Sequence, residues 1–264
     1  MNTLYVQPLG GLCNRMRVIV GAASLAKKLG RRMVIVWTQD QSLNARFDEL
    51  FEPIPYKIIE TKLTSLSQRL RWNYLTHIRH CKVLDDTWIS ENARGKDYSL
   101  WKEQMEKVDV FINANLDILF DGDYRIFKAK ESLLDQWNNV SIDNDVIGIH
   151  IRRTDNLYAV KYSPTVLFLE KIKEEIELNP SIRFYLATDD PTEEEIFLKE
   201  YGEKIMIYHK HSLDRNNPVA IKDAVVDLYN LSRCRKIYGS YYSSFSDTAA
   251  LWNGIEKVEL KIGV

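Results

Sequence analysis

The sequence predicts a two-domain α/β protein built on parallel sheets. A β-loop-α-β unit runs from Leu4 to Trp37, and strands alternate with helices from Val146 onward. Several strands are also continuous apolar runs, the pattern of a strand covered on both faces by helices. Such alternation calls for crossover connections and hence parallel pairing.

The elements follow in order. Leu4-Tyr5-Val6 is a short strand ending in Pro8-Leu9-Gly10-Gly11. Val18, Ala22, Leu25 and Leu29 then recur at helical spacing, with Gly30 at the helix C-terminus. Met33 to Trp37 is a buried strand, and Val108 to Asn113 is another. From Gln39 to Leu100 polar and aromatic residues alternate without a clear period, and irregular structure is expected there. The polar stretch Asn138 to Asp145 is the expected linker, dividing the chain into domains 1–140 and 141–264. In the second domain, strands are expected at Val146–Ile151, Ile182–Ala187, Lys204–Tyr208, Lys236–Gly239 and Lys257–Leu260. Helices are expected from Pro164 to Leu178, from Pro191, from Pro218 to Ser232 and from Ser246 to Asn253. The expected architecture is two Rossmann-like, doubly wound domains facing across a cleft.

Composition narrows the function class. With 45% hydrophobic and 28% charged residues, the chain is globular rather than disordered. A net charge of −1 supplies no global basic field for nucleic acid or acidic lipid. Three widely spaced cysteines, Cys13, Cys81 and Cys234, build no disulfide framework, and a reducing cytoplasm is the expected compartment. The N-terminus reads as a strand rather than a signal peptide, and no apolar run is long enough to span a membrane.

The chemistry concentrates where strands end. Val146 to Asn156 is a buried strand that finishes in His150, Arg152, Arg153 and Asp155. Ligands of α/β sheets bind beyond the carboxyl ends of strands, and arginine forks match phosphate oxygens. Arg152 is the expected phosphate ligand, with His150 on the same face of the strand. Arg153 is expected to brace the loop through Asp155. Asp189, after the next strand, either accepts from a ligand or caps the following helix. Gly239 to Ala250 places Ser243, Ser244, Phe245 and Ser246 between a strand and a helix, where N–H and hydroxyl donors suit an anion. In the first domain Gly10 and Gly11 allow close backbone approach, and Asn14 and Arg15 open the next helix. Asp121-Gly122-Asp123 is a rival site, a pattern able to hold Mn²⁺ or Mg²⁺ on a diphosphate, though a solvated turn is its commoner meaning. His77 to Cys81 and His209-Lys210-His211 lack a full ligand set and read as surface or packing residues.

Taken together, Gly10 to Met16, His150 to Asn156, Ala187 to Asp190 and Ser243 to Ala250 resemble the fucosyltransferase superfamily, which includes α-1,6- and protein O-fucosyltransferases. His-x-Arg-Arg-Thr-Asp is the most specific match. The resemblance implies a GT-B fold and an inverting, metal-independent transfer of fucose from GDP-fucose to a glycan hydroxyl, with no cofactor. It implies that Arg152 holds the β-phosphate, that His150 and Asp227 contact guanine or ribose, and that Ser243 to Ser246 line the diphosphate. Asp189 would share that nucleotide pocket, while Asn14 and Arg15 would reach toward sugar and phosphate. The sequence departs from the family where a glutamate follows the arginine motif, since Asn156 to Lys161 contains no carboxylate. The base is left open between Asp155, Asp40 and no side chain. Two alternatives stand beside this reading: a metal-dependent glycosyltransferase using Asp121 and Asp123, and a non-catalytic sugar-nucleotide-binding protein.

Overall fold

Two parallel five-stranded sheets organise the chain. A computed structural model describes residues 2–62, 65–93, 98–118, 121–143, 145–154, 156–212 and 217–263. The chain divides into two compact units, Met1–Lys130 with Asp214–Ile221, and Glu131–Leu213 with Lys222–Val264. The helix Glu131–Trp137 opens the second unit.

The first sheet contains β1 (Thr3–Pro8), β2 (Arg32–Gln39), β3 (Lys57–Lys62), β4 (Lys82–Asp85) and β5 (Val110–Ala114), in the order β3-β2-β1-β5-β4. Every pairing is parallel. Residues 33–38 of β2 are all buried, which explains their continuous apolar run. Trp37 of β2 packs ring against ring with Phe47, followed by Phe51 and Phe127, at 5.1–5.3 Å. The Trp37 indole N–H donates to Ala45 O at 2.9 Å, so this cluster has no unpaired polar tip at its centre. The irregular structure expected from Gln39 to Leu100 is corrected here. That region carries β3, β4 and the helix Ser65–Asn73, with Tyr98–Met105 following as a helix.

The second sheet contains β6 (Ile147–Ile151), β7 (Phe184–Thr188), β8 (Ile205–Ile207), β9 (Lys236–Ser240) and β10 (Glu256–Leu260), in the order β10-β9-β6-β7-β8. These pairings are parallel as well. Strand alternation sorts the side chains between two layers. Ile147, Ile149 and Ile151 of β6 join Phe184 and Leu186 of β7 against Phe168, Ile172 and Phe197 of the helices Thr165–Leu178 and Pro191–Tyr201. Each such side chain, fully buried, contributes on the order of 1.5–3 kcal/mol. The other layer receives Gly148, which fits against Leu231 and Cys234 beside the helix Pro218–Ser232. His150 and Tyr185 belong to that second face, and the period of two carries Arg152 to it. The fold thus places the charged end of β6 on one defined side of the sheet.

Candidate functional site

The second sheet reverses its winding at β6. The chain goes from β6 to β7 and β8 on one side, then returns to add β9 and β10 on the other. The carboxyl ends of β6 and β9 flank this switch point, the crevice where open α/β sheets hold ligands. Arg152 to Thr154 follow β6 there, and Tyr241 to Ser246 follow β9.

The two strand ends are tied together. Ser240 Oγ, fully buried, accepts from Arg152 N at 3.0 Å and donates to His150 O at 3.4 Å. Gly239 leaves room for the next helix: a Cβ there would sit 2.7 Å from Ser246 Oγ and 2.9 Å from Ser246 Cβ. The helix Ser244–Asn253 therefore starts hard against the end of β9. Ser243 is its N-cap residue without a side-chain cap bond, and Ser246 Oγ donates to Ser243 O at 3.2 Å. Ser243 and Ser246 are buried, whereas Ser244 and Phe245 are partly exposed.

His150 is buried and stacks on Phe245 at 5.0 Å with the rings 21° apart. Burial, followed by the charge of Arg152, holds its pKa down at about 3. The imidazole is therefore neutral near pH 7, with one nitrogen able to donate and the other to accept. Its Nδ1 is buried and makes no hydrogen bond to any described residue. A buried acceptor or donor in that state costs about 1–3 kcal/mol unless something pairs with it.

The arginine pair is divided by its carboxylates. Arg152 Nη1 meets Asp189 Oδ2 at 2.9 Å, and about a fifth of its side chain stays exposed. Arg153 is held more fully: Nε donates to Glu193 Oε1 at 2.6 Å, Nη2 to Thr165 Oγ1 at 3.1 Å, and Nη1 to Arg152 O and Ser163 O at 3.0 and 3.1 Å. Its brace is Glu193, from the first turn of the helix Pro191–Tyr201; Asp155, the expected partner, lies outside the described residues. Asp189 does not cap the helix that follows. It accepts from Arg153 N at 2.7 Å and Thr154 Oγ1 at 2.6 Å, while Asp190 is the N-cap, accepting from Thr192 N at 2.9 Å.

Asp227 sits deeper than the resemblance implied. It is 4% exposed, accepts from Tyr185 OH at 2.5 Å and meets Lys210 Nζ at 3.2 Å. Burial alone would lower the Lys210 pKa, but the charges of Asp227 and Glu194 outweigh it and hold the ammonium form. Tyr185 OH also accepts from Asn230 Nδ2 at 3.3 Å. Lys210, expected to be a surface or packing residue, is thus the cation of a buried network. His211 is held by a second buried carboxylate, Asp223, which accepts from its N–H at 2.9 Å and from Tyr208 OH at 2.6 Å.

In the first unit the corresponding switch point lies between β1 and β5. Gly10, at φ +75°, and Gly11 follow β1, and a Cβ on Gly10 would meet Asn115 Oδ1 at 2.4 Å and Asn14 Nδ2 at 3.0 Å. Asn14 and Asn115 therefore converge on that turn, both partly exposed. The reading of Arg15 is corrected: it is fully buried, with Nε on Gly10 O at 2.7 Å, Nη1 on Thr38 O and Nη2 on Asp40 Oδ2 at 2.8 Å. Its guanidinium also lies 5.1 Å from the Trp37 ring centre, so it locks the turn after β1 onto the end of β2 rather than reaching outward. Asp40 is engaged with it, and its Oδ1 also accepts from Ser42 N and Leu43 N at 2.8 and 3.0 Å. The rival aspartates are paired too: Asp121 with Lys28 and Ser24, Asp123 with Arg125 at 2.8 Å. Among the described residues no group of three or more His, Cys, Asp or Glu gathers as a metal ion would require, and no helix is long and apolar enough to cross a membrane.

No protein-family model matches this sequence, and no curated protein matches it. Among solved structures, NodZ α-1,6-fucosyltransferase soaked with GDP-fucose is similar at 16% identity and a TM-score of 0.59, over 95% of this chain and 92% of that one. The fucosyltransferase NodZ from Bradyrhizobium gives a TM-score of 0.58 at 16% identity, over 94% and 92%. POFUT1 in complex with GDP-fucose gives 0.56 at 10% identity, over 99% of each chain. What is shared at this identity is the fold: an α/β chain of GT-B type along nearly its whole length.

Proposed function

We propose that this chain is a glycosyltransferase that moves fucose from GDP-fucose to a hydroxyl of a glycan acceptor. The observation that carries the reading is the switch point between β6 and β9. There Arg152, the neutral His150 and the start of the helix Ser244–Asn253 come together at the carboxyl ends of two adjacent strands. The fold neighbours solved with GDP-fucose point the same way.

In the proposed reaction the bond between the sugar C1 and the phosphate oxygen breaks as the acceptor oxygen attacks C1 from the opposite face. Negative charge grows on the leaving diphosphate while C1 takes on oxocarbenium character. Arg152 and the helix N-terminus at Ser244–Ser246 are positive before the reaction starts and gain attraction as that charge develops. Asp189 keeps the Arg152 guanidinium aimed, and Arg153 with Glu193 keeps the strand end in place. His150, with its unpaired Nδ1 and its ring against Phe245, suits the nucleoside. Asp227 supports that pocket through Tyr185 and Lys210. Arginine does the neutralising in this reading, so no metal is required. Since Asp40 is engaged with Arg15, the acceptor proton passes in this reading to Asp155 or directly to water without a side-chain base.

A charged hydrogen bond contributes on the order of 1.5–3 kcal/mol, and about 1.4 kcal/mol is tenfold in rate. Arg152→Ala is therefore expected to lower transfer by at least roughly tenfold while leaving the folded spectrum unchanged. A thermal-shift panel tests the donor: GDP and GDP-fucose should raise the melting temperature, whereas UDP and dTDP should not. A response confined to UDP or dTDP overturns the donor, and activity abolished by EDTA overturns metal independence. GDP binding with neither transfer nor donor hydrolysis turns the reading to a binding protein.

A further inference from the structure

Four tyrosines form a row beside the loops that follow β6 and β9. Ring centres lie 5.7 Å apart for Tyr158 and Tyr242, 6.1 Å for Tyr242 and Tyr241, and 5.4 Å for Tyr241 and Tyr162. Tyr241 and Tyr162 are partly buried and carry Lys261 and Lys161 over their rings, at 4.9 and 4.8 Å. Tyr158 and Tyr242 are open, at 60% and 65% exposure, with their ring planes 59° apart.

The open pair is held rather than loose. Tyr242 has φ +54°, a conformation that bulky residues rarely adopt. Its carbonyl accepts from Asn156 Nδ2 at 2.8 Å, and its N–H donates to Glu259 Oε2 at 3.4 Å. The same Asn156 caps the helix Leu157–Tyr162 by accepting from Ala159 N at 3.0 Å. One amide therefore fixes the helix bearing Tyr158 to the loop bearing Tyr242. A left-handed tyrosine that neither buries its ring nor closes a core contact is explained when the ring's position in solvent is what matters.

We infer that Tyr158 and Tyr242 form a stacking platform for a pyranose ring of the acceptor glycan. A pyranose presents an apolar C–H face within a rim of hydroxyls, and tyrosine offers a flat apolar face with a polar tip. Tyr242 adjoins Ser243 at the start of the candidate diphosphate helix, so a sugar on these rings lies next to the donor crevice. A protein partner needs about 800 Å² from each side, which two rings and their neighbours Leu157 and Val160 do not supply. The inference rests on the glycosyltransferase reading and names its acceptor side.

Saturation-transfer NMR on the full chain, with the methyl glycosides of glucose, galactose, mannose and N-acetylglucosamine as probes, tests it. At least one glycoside should receive saturation on its C–H face protons. Tyr158→Ala and Tyr242→Gly should each weaken that contact by roughly fivefold, the order expected for one aromatic face. Tyr158→Phe and Tyr242→Phe should retain it. Glycine fits the backbone at Tyr242 and Tyr158 lies on an exposed helix face, so both truncations should fold. GDP titrated into the same samples should bind all of them alike. GDP binding without any glycoside contact, or contact that survives both truncations, overturns the platform. Self-association that Tyr158→Ala abolishes, with no glycoside contact, assigns the face to a second copy and overturns it as well. Glycoside contact without GDP binding leaves the platform standing and overturns the donor instead.

Discussion

Three arginines with similar sequence credentials have different fates at the residue scale. Arg15 stands in the helix after β1, Arg152 and Arg153 in the loop after β6, and of the three Arg152 keeps the largest part of its side chain exposed. Removing Arg153 leaves Glu193 in a pocket where its side chain is 6% exposed. Breaking a buried pair from one side costs about 3–5 kcal/mol. Arg153→Ala should lower the unfolding free energy by that order in urea denaturation, and a loss under about 1 kcal/mol would refute the bracing role. The difference between the arginines was hidden in the sequence because each partner is remote: Glu193 for Arg153, Asp40 and Thr38 for Arg15. His150 supplies the pH prediction. Its folded pKa of about 3 lies below the unfolded value near 6.5, so the unfolded chain binds the extra proton between them. The stability contributed by a neutral His150 is present above about pH 6.5 and is lost as pH falls from there toward 3. Wild type should therefore lose stability faster than His150→Gln between pH 7.5 and pH 5, by up to about 1.4 kcal/mol per unit. Parallel stability-against-pH curves for the two would show that His150 is not buried neutral.

Elements differ in how plainly the sequence announces them. β2, β6 and β7 are buried on both faces and read as apolar runs, so their ends, and the residues beyond them, were legible. The edge strands β3 and β4 are half exposed, carry lysine and acidic side chains, and lack the apolar run that marks an inner strand. The helix Ser244–Asn253 begins two residues before the expected Ser246, in a first turn that carries two serines. Gly239 sets where that helix starts. Gly239→Ala should push Ser246 aside, since the added Cβ meets Ser246 Cβ at 2.9 Å. Overpacking of this kind costs about 1–3 kcal/mol. If it displaces the first turn, GDP affinity should fall roughly tenfold, about 1.4 kcal/mol. Titration of GDP into the folded variant checks this, and unchanged affinity would separate the helix start from the nucleotide site.

Charge and thiols describe the molecule as a whole. A net charge of −1 means that no global field draws an anionic ligand, so the proposed donor would depend on local groups such as Arg152. The three thiols are buried, Cys13 and Cys81 in the first unit and Cys234 in the second. Burial pushes the Cys81 pKa up to about 11 and that of Cys234 up to about 12, so neither forms much thiolate near pH 8 while folded. Labelling by a thiol reagent then reports opening of the unit that holds each cysteine. A ligand that binds only the folded state suppresses opening by a factor of 1 + [L]/Kd, which is roughly 100 at 100 Kd. With GDP assigned to the crevice between β6 and β9, Cys234 labelling should slow by about that factor, and Cys13 and Cys81 by no more. Peptide mapping by mass spectrometry reads the three sites separately in one sample. Cys234 labelling that ignores saturating GDP, with Cys13 and Cys81 protected instead, would move the nucleotide to the first unit, where Gly10, Asn14 and Asn115 converge.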